Sequence, residues 1–139
     1  MTKAYWPDRI YIAGPMSGIE KNNYPAFEYA FLFLRSIGLN VISPHLLCEP
    51  VDDTPKAYAD VLSRDLMVLS SCTCIAFLPG SEDSRGACLE AHYGAITKKD
   101  MVLYEEISSK LLAGKELEAP IPGDIPDVVR NGAGWRGCP

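Results

Sequence analysis

Apolar residues gather in four short runs along the chain, most of them closed by turn residues. They are Arg9–Ala13 before Gly14-Pro15, Leu39–Ile42 before Ser43-Pro44, Ile75–Leu78 before Pro79-Gly80, and Met101–Tyr104. Runs of this length with such punctuation predict buried strands. Between them the pattern changes to a helical period. Ala26, Phe27, Ala30, Phe31, Leu34 and Ile37 recur at helical spacing, with Asn22-Asn23 as a cap, Pro25 in the first turn and Gly38 just past the end. Thr54-Pro55 opens a second helix to about Ser70, with Tyr58, Val61, Leu62, Leu66 and Leu69 on its apolar face. A third helix spans Arg85–Lys98, and Ile107–Leu112 predicts a short fourth.

Short apolar strands alternating with helices predict a three-layer α/β domain of flavodoxin- or Rossmann-like order. Its mostly parallel sheet has four to five strands, with helices on both faces. The domain is expected over residues 1–118. From Ala119 onward, Pro120, Pro122, Gly123 and Pro126 precede Asn131-Gly132-Ala133-Gly134. This predicts an irregular tail, residues 119–139, that folds over the site, crosses to a neighbouring subunit or stays loosely ordered.

Composition narrows the partners. With 139 residues, 47% hydrophobic and 22% charged, the chain fits one globular domain. A net charge of -5 argues against a nucleic-acid polymer as partner but leaves room for a single bound phosphate. No window reaches the ~20 apolar residues of a membrane span. Met1–Asp8 lacks a signal-peptide pattern. The five cysteines, Cys48, Cys72, Cys74, Cys88 and Cys138, have no framework spacing. Reduced thiols in a cytoplasmic location are therefore expected. Cys72 and Cys74 are read as buried small hydrophobes on one side of a strand.

Candidate chemistry concentrates after the third strand. Gly86, Glu90 and Gly94 are four apart and form one stripe on a helix. Two glycines in one short helix need a packing or ligand reason, since each costs ~1 kcal/mol against alanine. Glu90 is thereby a candidate nucleophile; the alternative is a surface glutamate favoured by the helix dipole. Ser84 stands where a cap belongs, with helix N–H groups behind it, which is a phosphate-shaped site. Ligands of an open parallel sheet sit at the carboxyl ends of its central strands. The loop Gly14-Pro15-Met16-Ser17-Gly18 would meet the loop Gly80-Ser81-Glu82-Asp83-Ser84 there. Asp65, near a helix end where the dipole disfavours it, is a further candidate. So is Asp83, a loop acid placed to pair with Arg85. His45 falls on the ligand side of the second strand, as a general acid or as a packing histidine. No metal-ligand spacing occurs, and neither loop matches the dinucleotide or Walker A patterns.

These residues resemble the nucleoside 2-deoxyribosyltransferase superfamily, which includes the deoxynucleoside 5′-monophosphate N-glycosidases. The likeness runs from Arg9 to about Glu105. It rests on Ile10-Tyr11-Ile12-Ala13-Gly14-Pro15-Met16-Ser17-Gly18, Arg64-Asp65-Leu66, Ile75–Gly80 and Ser84-x-Gly86-x-x-x-Glu90-x-x-x-Gly94. The resemblance implies that Glu90 attacks C1′ of a deoxyribose, that Tyr11 orients it, and that Asp65 assists at the base or sugar. Gly14, Met16, Ser17, Gly18, His45, Ser84 and Gly86 are the expected substrate-binding residues. The transferases tend to carry Asp six residues before the nucleophile; the monophosphate hydrolases tend to carry Ser, and here it is Ser84. The first loop departs from the hydrolases, which have Ser and a basic residue there. The implied activity is cleavage of a deoxynucleoside monophosphate, or base exchange between nucleosides, without metal or organic cofactor. A non-catalytic nucleotide-binding module is the remaining alternative. The implied partner is a small nucleotide or nucleoside, and the implied assembly a homodimer or higher homo-oligomer.

Overall fold

A computed structural model describes residues 5, 7–16, 18–47 and 54–132. Four strands form one all-parallel sheet: β1 (Ile10–Ala13), β2 (Val41–Ile42), β3 (Cys74–Phe77) and β4 (Asp100–Leu103), in the spatial order β2-β1-β3-β4. Helices α1 (Tyr24–Ser36), α2 (Pro55–Leu69), α3 (Arg85–Ile96) and α4 (Tyr104–Leu112) follow them in turn, and α5 (Asp127–Arg130) closes the described chain. The expected α/β class and parallel sheet are what the chain adopts, with four strands.

Side chains of the strands alternate between two cores. Ile10, Ile12, Cys74 and Ala76 pack against Phe27, Ala30 and Leu34 of α1 and against Tyr104 and Ile107 of α4. Tyr11, Ala13, Ile75 and Phe77 pack against Leu69 of α2 and against Ala87 and Ala91 of α3. The chain steps from β1 outward to β2, then back across β1 to β3. Right-handed crossovers therefore put α1 on one face and α2 and α3 on the other. The reversal leaves a switch point between β1 and β3, the usual ligand crevice of such sheets. Tyr11, second in β1, points to the α2–α3 face because it alternates with Ile10 and Ile12, which enter the other core.

Several local expectations shift. Cys72 and Cys74 are both buried, but they join opposite cores. The strand starts only at Cys74, so Cys72 lies outside its pleat. Asn23 stands at the N-cap of α1, but its side chain makes no capping hydrogen bond. Lys21, Asn22 and Asn23 are all left-handed (φ 56°, 53° and 60°), and the Asn23 amide instead donates to the Pro15 carbonyl at 2.9 Å. Left-handed backbone costs ~1–2 kcal/mol per non-glycine residue. What this turn achieves is a tie from α1 to the first loop. Gly38, at φ 91°, is the left-handed residue past α1 that the sequence predicts.

Residues 119–132, expected as irregular tail, contribute a helix and core. Ile125 and Val129 are buried among Tyr11, Ala87 and Ala91. Their hydrophobic partners lie on the α2–α3 face, and the prolines that suggested irregularity merely route the chain there. Trp135 and Cys138 lie outside the described residues, as do Ser17 and Cys48.

Candidate active site

The two loops leaving β1 and β3 open onto a cleft of about 790 Å³, within the ~300–1,000 Å³ of small-molecule sites. α3 supplies one wall. Its cap is Ser84, whose Oγ accepts from the Ala87 N–H at 3.2 Å. The remaining N–H groups of the first turn have no partner within the helix. α2 supplies the opposite wall. Its cap is Thr54, whose Oγ1 accepts from the Ala57 N–H at 3.1 Å. Gly14 completes the floor. A Cβ there would stand 3.0 Å from Leu78 and 3.1 Å from Phe27, so a side chain at the end of β1 would have to displace one of them.

The proposed glycine stripe divides into two tasks. At Gly86 a Cβ would meet the Tyr58 hydroxyl at 3.4 Å, Leu62 at 3.6 Å and the Ser84 hydroxyl at 3.9 Å, all without a clash, so glycine here widens the cleft. At Gly94 a Cβ would stand 2.8 Å from Ile75 and 3.1 Å from Met101, so glycine there lets α3 lie close to the sheet. Only the first has to do with the space at Glu90.

Three acidic or phenolic groups meet at the cleft floor. Tyr11 is 0% exposed, Glu90 5% and Asp65 7%. Glu90 and Asp65 line the cleft from α3 and α2, and Tyr11 lies behind them on β1. Tyr11 Oη, Glu90 Oε2 and Asp65 Oδ1 are buried without a hydrogen-bond partner of ordinary geometry. An unpartnered buried polar atom costs ~1–3 kcal/mol, so three together mark a place shaped for something other than stability. Burial pushes the Glu90 carboxyl up to about 8; the nearby Tyr11 hydroxyl restrains the rise, and the Asp65 charge adds to it. Burial pushes Asp65 up to about 6 against the pull of Arg64. Burial and the charges of Glu90 and Asp65 raise the Tyr11 phenol, which stays protonated. Coupled carboxyls lose protons as a pair, so this pair carries one proton between about 6 and about 8.

The other end of the cleft is lined by Ser84, Arg85, Gly86 and Asp83. Arg85 is the one cation among the described lining residues, and it makes no ion pair there with Asp83. Tyr58 stands between the two ends. Burial and the charge of Glu90 raise its phenol, while Arg85 lowers it.

Of the residues expected to bind substrate, Gly14, Met16, Ser84 and Gly86 line the cleft, and Gly18 and His45 do not. Ser17 falls outside the described residues. His45 is held elsewhere. Its Nε2 meets Glu28 at 2.6 Å and its Nδ1 meets the Ser43 hydroxyl at 2.5 Å, beside the rings of Tyr24, Phe27 and Phe31. Its effect on the cleft is indirect: it pins the turn Pro44–Leu46, whose Pro44 is a lining residue. Tyr58, Val61 and Leu62, on the expected apolar face of α2, form a cleft wall. The signal was in the sequence. Asp65 continues the stripe of positions 58, 61 and 62, and an acid within an apolar stripe implies a surface that meets a ligand.

A family profile described as a domain of unknown function (DUF4406) matches residues 8–103. The chain belongs to that family. The matched span of DUF4406 includes both cleft walls and the whole sheet. No curated protein matches the sequence. Among solved structures, the chain is similar to a 2-deoxyribosyltransferase from Bacillus psychrosaccharolyticus, with 23% identity, a TM-score of 0.53 and coverage of 68% of this chain and 70% of that one. It is also similar to a 2-deoxyribosyltransferase from Leishmania mexicana, with 16% identity, a TM-score of 0.54 and coverage of 91% and 87%. At these identities the likeness establishes a shared fold. Among the described residues no cluster of His, Cys, Asp or Glu could hold a metal ion, and no helix is long and apolar enough to cross a membrane.

Proposed function

We propose that this protein cleaves the N-glycosidic bond of a 2′-deoxynucleoside 5′-monophosphate through a covalent deoxyribosyl–Glu90 intermediate. The observation that carries the reading is the meeting of three buried, unpartnered oxygens, from Tyr11, Asp65 and Glu90, at the floor of an open cleft. A Glu90 oxygen attacks C1′ as the C1′–N bond breaks, and the bonding pair leaves with the base. Asp65 gives the departing nitrogen its proton. Tyr11 keeps its own proton and aims the carboxylate. Water then attacks C1′, losing a proton to Asp65, and Glu90 is released with deoxyribose 5-phosphate. The singly protonated pair is the competent form: its proton rests on Glu90 in the free protein and passes to Asp65 as substrate binds, leaving Glu90 ionised. Positive charge developing on the sugar favours that arrangement over its reverse.

Ser84, Arg85, Gly14, Met16 and Gly86 form the phosphate end in this reading. The Ser84 oxygen accepts from Ala87 but its hydroxyl hydrogen is free to donate to a ligand. Arg85 brings a positive charge beside the open helix start. The substrate is a free nucleotide rather than a polymer, and the working unit is a cytoplasmic homodimer or higher homo-oligomer without metal or organic cofactor.

Base exchange is the second reading, in which a second base instead of water resolves the intermediate. Two observations favour it. The similar solved structures are 2-deoxyribosyltransferases. Asp83 also lines the cleft beside Ser84, where a carboxylate would accept a 5′-hydroxyl and repel a phosphate dianion. The experiment is a panel of common deoxynucleosides and their monophosphates, assayed for free base with and without a second base. Base release from monophosphates alone supports the hydrolase; exchange products from nucleosides support the transferase. Release of base from none of them overturns both and leaves a nucleotide-binding module.

A further inference from the structure

The 3-10 turn Ser81–Asp83 carries Asp83 and leads directly into Ser84, so its position sets one end of the cleft. From inside, Ser81 ties it to the sheet. That hydroxyl is 1% exposed and donates to the Leu78 carbonyl at 2.6 Å, with the Ala13 carbonyl at 3.4 Å. From outside, the turn meets the C-terminal segment. α5 packs against both the turn and α3. A Cβ built on Gly132 would stand 2.1 Å from the Glu82 carbonyl oxygen, 2.4 Å from Glu82 Cβ and 2.6 Å from its carbonyl carbon. Those are mostly backbone atoms, which cannot rotate away. Among the described glycines none has a closer approach. The segment is itself braced. Arg130 meets Asp124 at 3.2 Å, Asp127 at 3.8 Å and the Ile125 carbonyl at 3.2 Å. Val129 and Ile125 are buried against Tyr11, Ala87 and Ala91.

We propose that the segment from Ile125 to Gly132 is a strut for the cleft, with Gly132 acting as a positioning residue that fixes where Asp83 and Ser84 stand. The strut works through the backbone of Glu82 and touches no reacting atom. It makes residues beyond the matched family span, 8–103, part of the site's architecture. A Cβ at Gly132 must push the turn towards the cleft or the chain end away from it.

Amide hydrogen exchange in the full, unliganded chain tests this without any assay of activity. The reporters are the Asp83, Ser84, Ala87 and Cys88 amides, which donate within the turn and the cap. The Ile10 and Leu78 amides report on the sheet. Gly132→Ala should speed exchange at the turn and cap by about ten-fold or more and leave the sheet reporters unchanged. Arg130→Ala inserts no atom and only loosens the brace, so it should do the same to a smaller degree even if Gly132→Ala does not fold. Gly114→Ala strains an exposed position at φ 70° with open space around it, and should leave the turn and cap as they are. Unchanged exchange at the turn in a folded Gly132→Ala chain, or sheet amides accelerating equally in both variants, overturns the strut. The activity arm rests on the function proposed above. There Gly132→Ala should raise KM about ten-fold and leave kcat within about two-fold. If the turn amides accelerate and KM does not move, the strut stands and the substrate-binding role of Asp83 and Ser84 falls.

Discussion

Tyr11 is the residue at which stability and function separate most cleanly. Its hydroxyl is fully buried, faces Glu90 and completes no ordinary hydrogen bond. Tyr11→Phe removes an unpartnered polar atom, so the melting temperature should hold or rise, while kcat falls roughly 10–100-fold as Glu90 loses its orienting donor. A melting curve and a base-release assay on one preparation check both. Arg85 offers a contrasting test, since it brings a positive charge to the Ser84 end of the cleft, the proposed phosphate end. Arg85→Gln should raise KM for monophosphates about ten-fold and leave nucleosides unaffected. An equal effect on both would place Arg85 away from the phosphate. Glu90 and Ser84 were legible in the sequence because spacing and capping are local properties. Three features hid the rest. Asp65 was marked by its helix end, although its significance lies in burial on the cleft side. Tyr58 was legible only as part of an apolar face, because a cleft wall and a core face share the same apolar period. His45 takes the packing alternative, because a strand end fixes a residue's layer and not the partner, here Glu28, that captures its ring.

Elements place these side chains with little freedom. The alternation of β1 sends Tyr11 to the α2–α3 face, and the caps Thr54 and Ser84 start the two helices that bring Asp65 and Glu90 to it. All of this follows from period and punctuation, which is why the sheet and helices could be read in advance. The turn before α1 could not. Three successive left-handed non-glycine residues oppose local preference, and only the tertiary bond from Asn23 to Pro15 accounts for where they lead. The end of α3 gives a test of the same physics away from the cleft. Lys98 is left-handed, at φ 60°, just past the cap Thr97. Glycine is the residue that fits there without strain. Lys98→Gly should stabilise the chain by about 1 kcal/mol, read as a rise of about 4 °C in melting temperature, with catalytic constants unchanged. A fall in melting temperature would mean that the lysine stem's contact with Gly123 outweighs the backbone strain.

At the scale of the whole molecule, the buried carboxyls should govern how stability changes with pH. Glu90 goes from an ordinary 4.5 to about 8 on folding, and Asp65 from 3.8 to about 6. Both are raised, so the folded state binds protons more tightly than the unfolded one. Their favourable contribution is complete below the ordinary values and is lost as pH rises through the folded ones. Melting temperature should therefore fall between about pH 4 and about pH 8. Glu90→Gln should flatten most of that slope, and an unchanged slope in the variant would assign it to other groups. The same pair predicts a bell-shaped kcat/KM with limbs near the two values and an optimum between them. The central claim is that Glu90 carries the sugar. Its most direct measurement is peptide mapping by mass spectrometry after acid quench of the protein turning over a deoxynucleotide. A deoxyribosyl phosphate mass is expected on the peptide containing Glu90, absent in Glu90→Gln, whose base release should fall by at least about 10³-fold. A sugar adduct on another residue, or undiminished base release by Glu90→Gln, contradicts it.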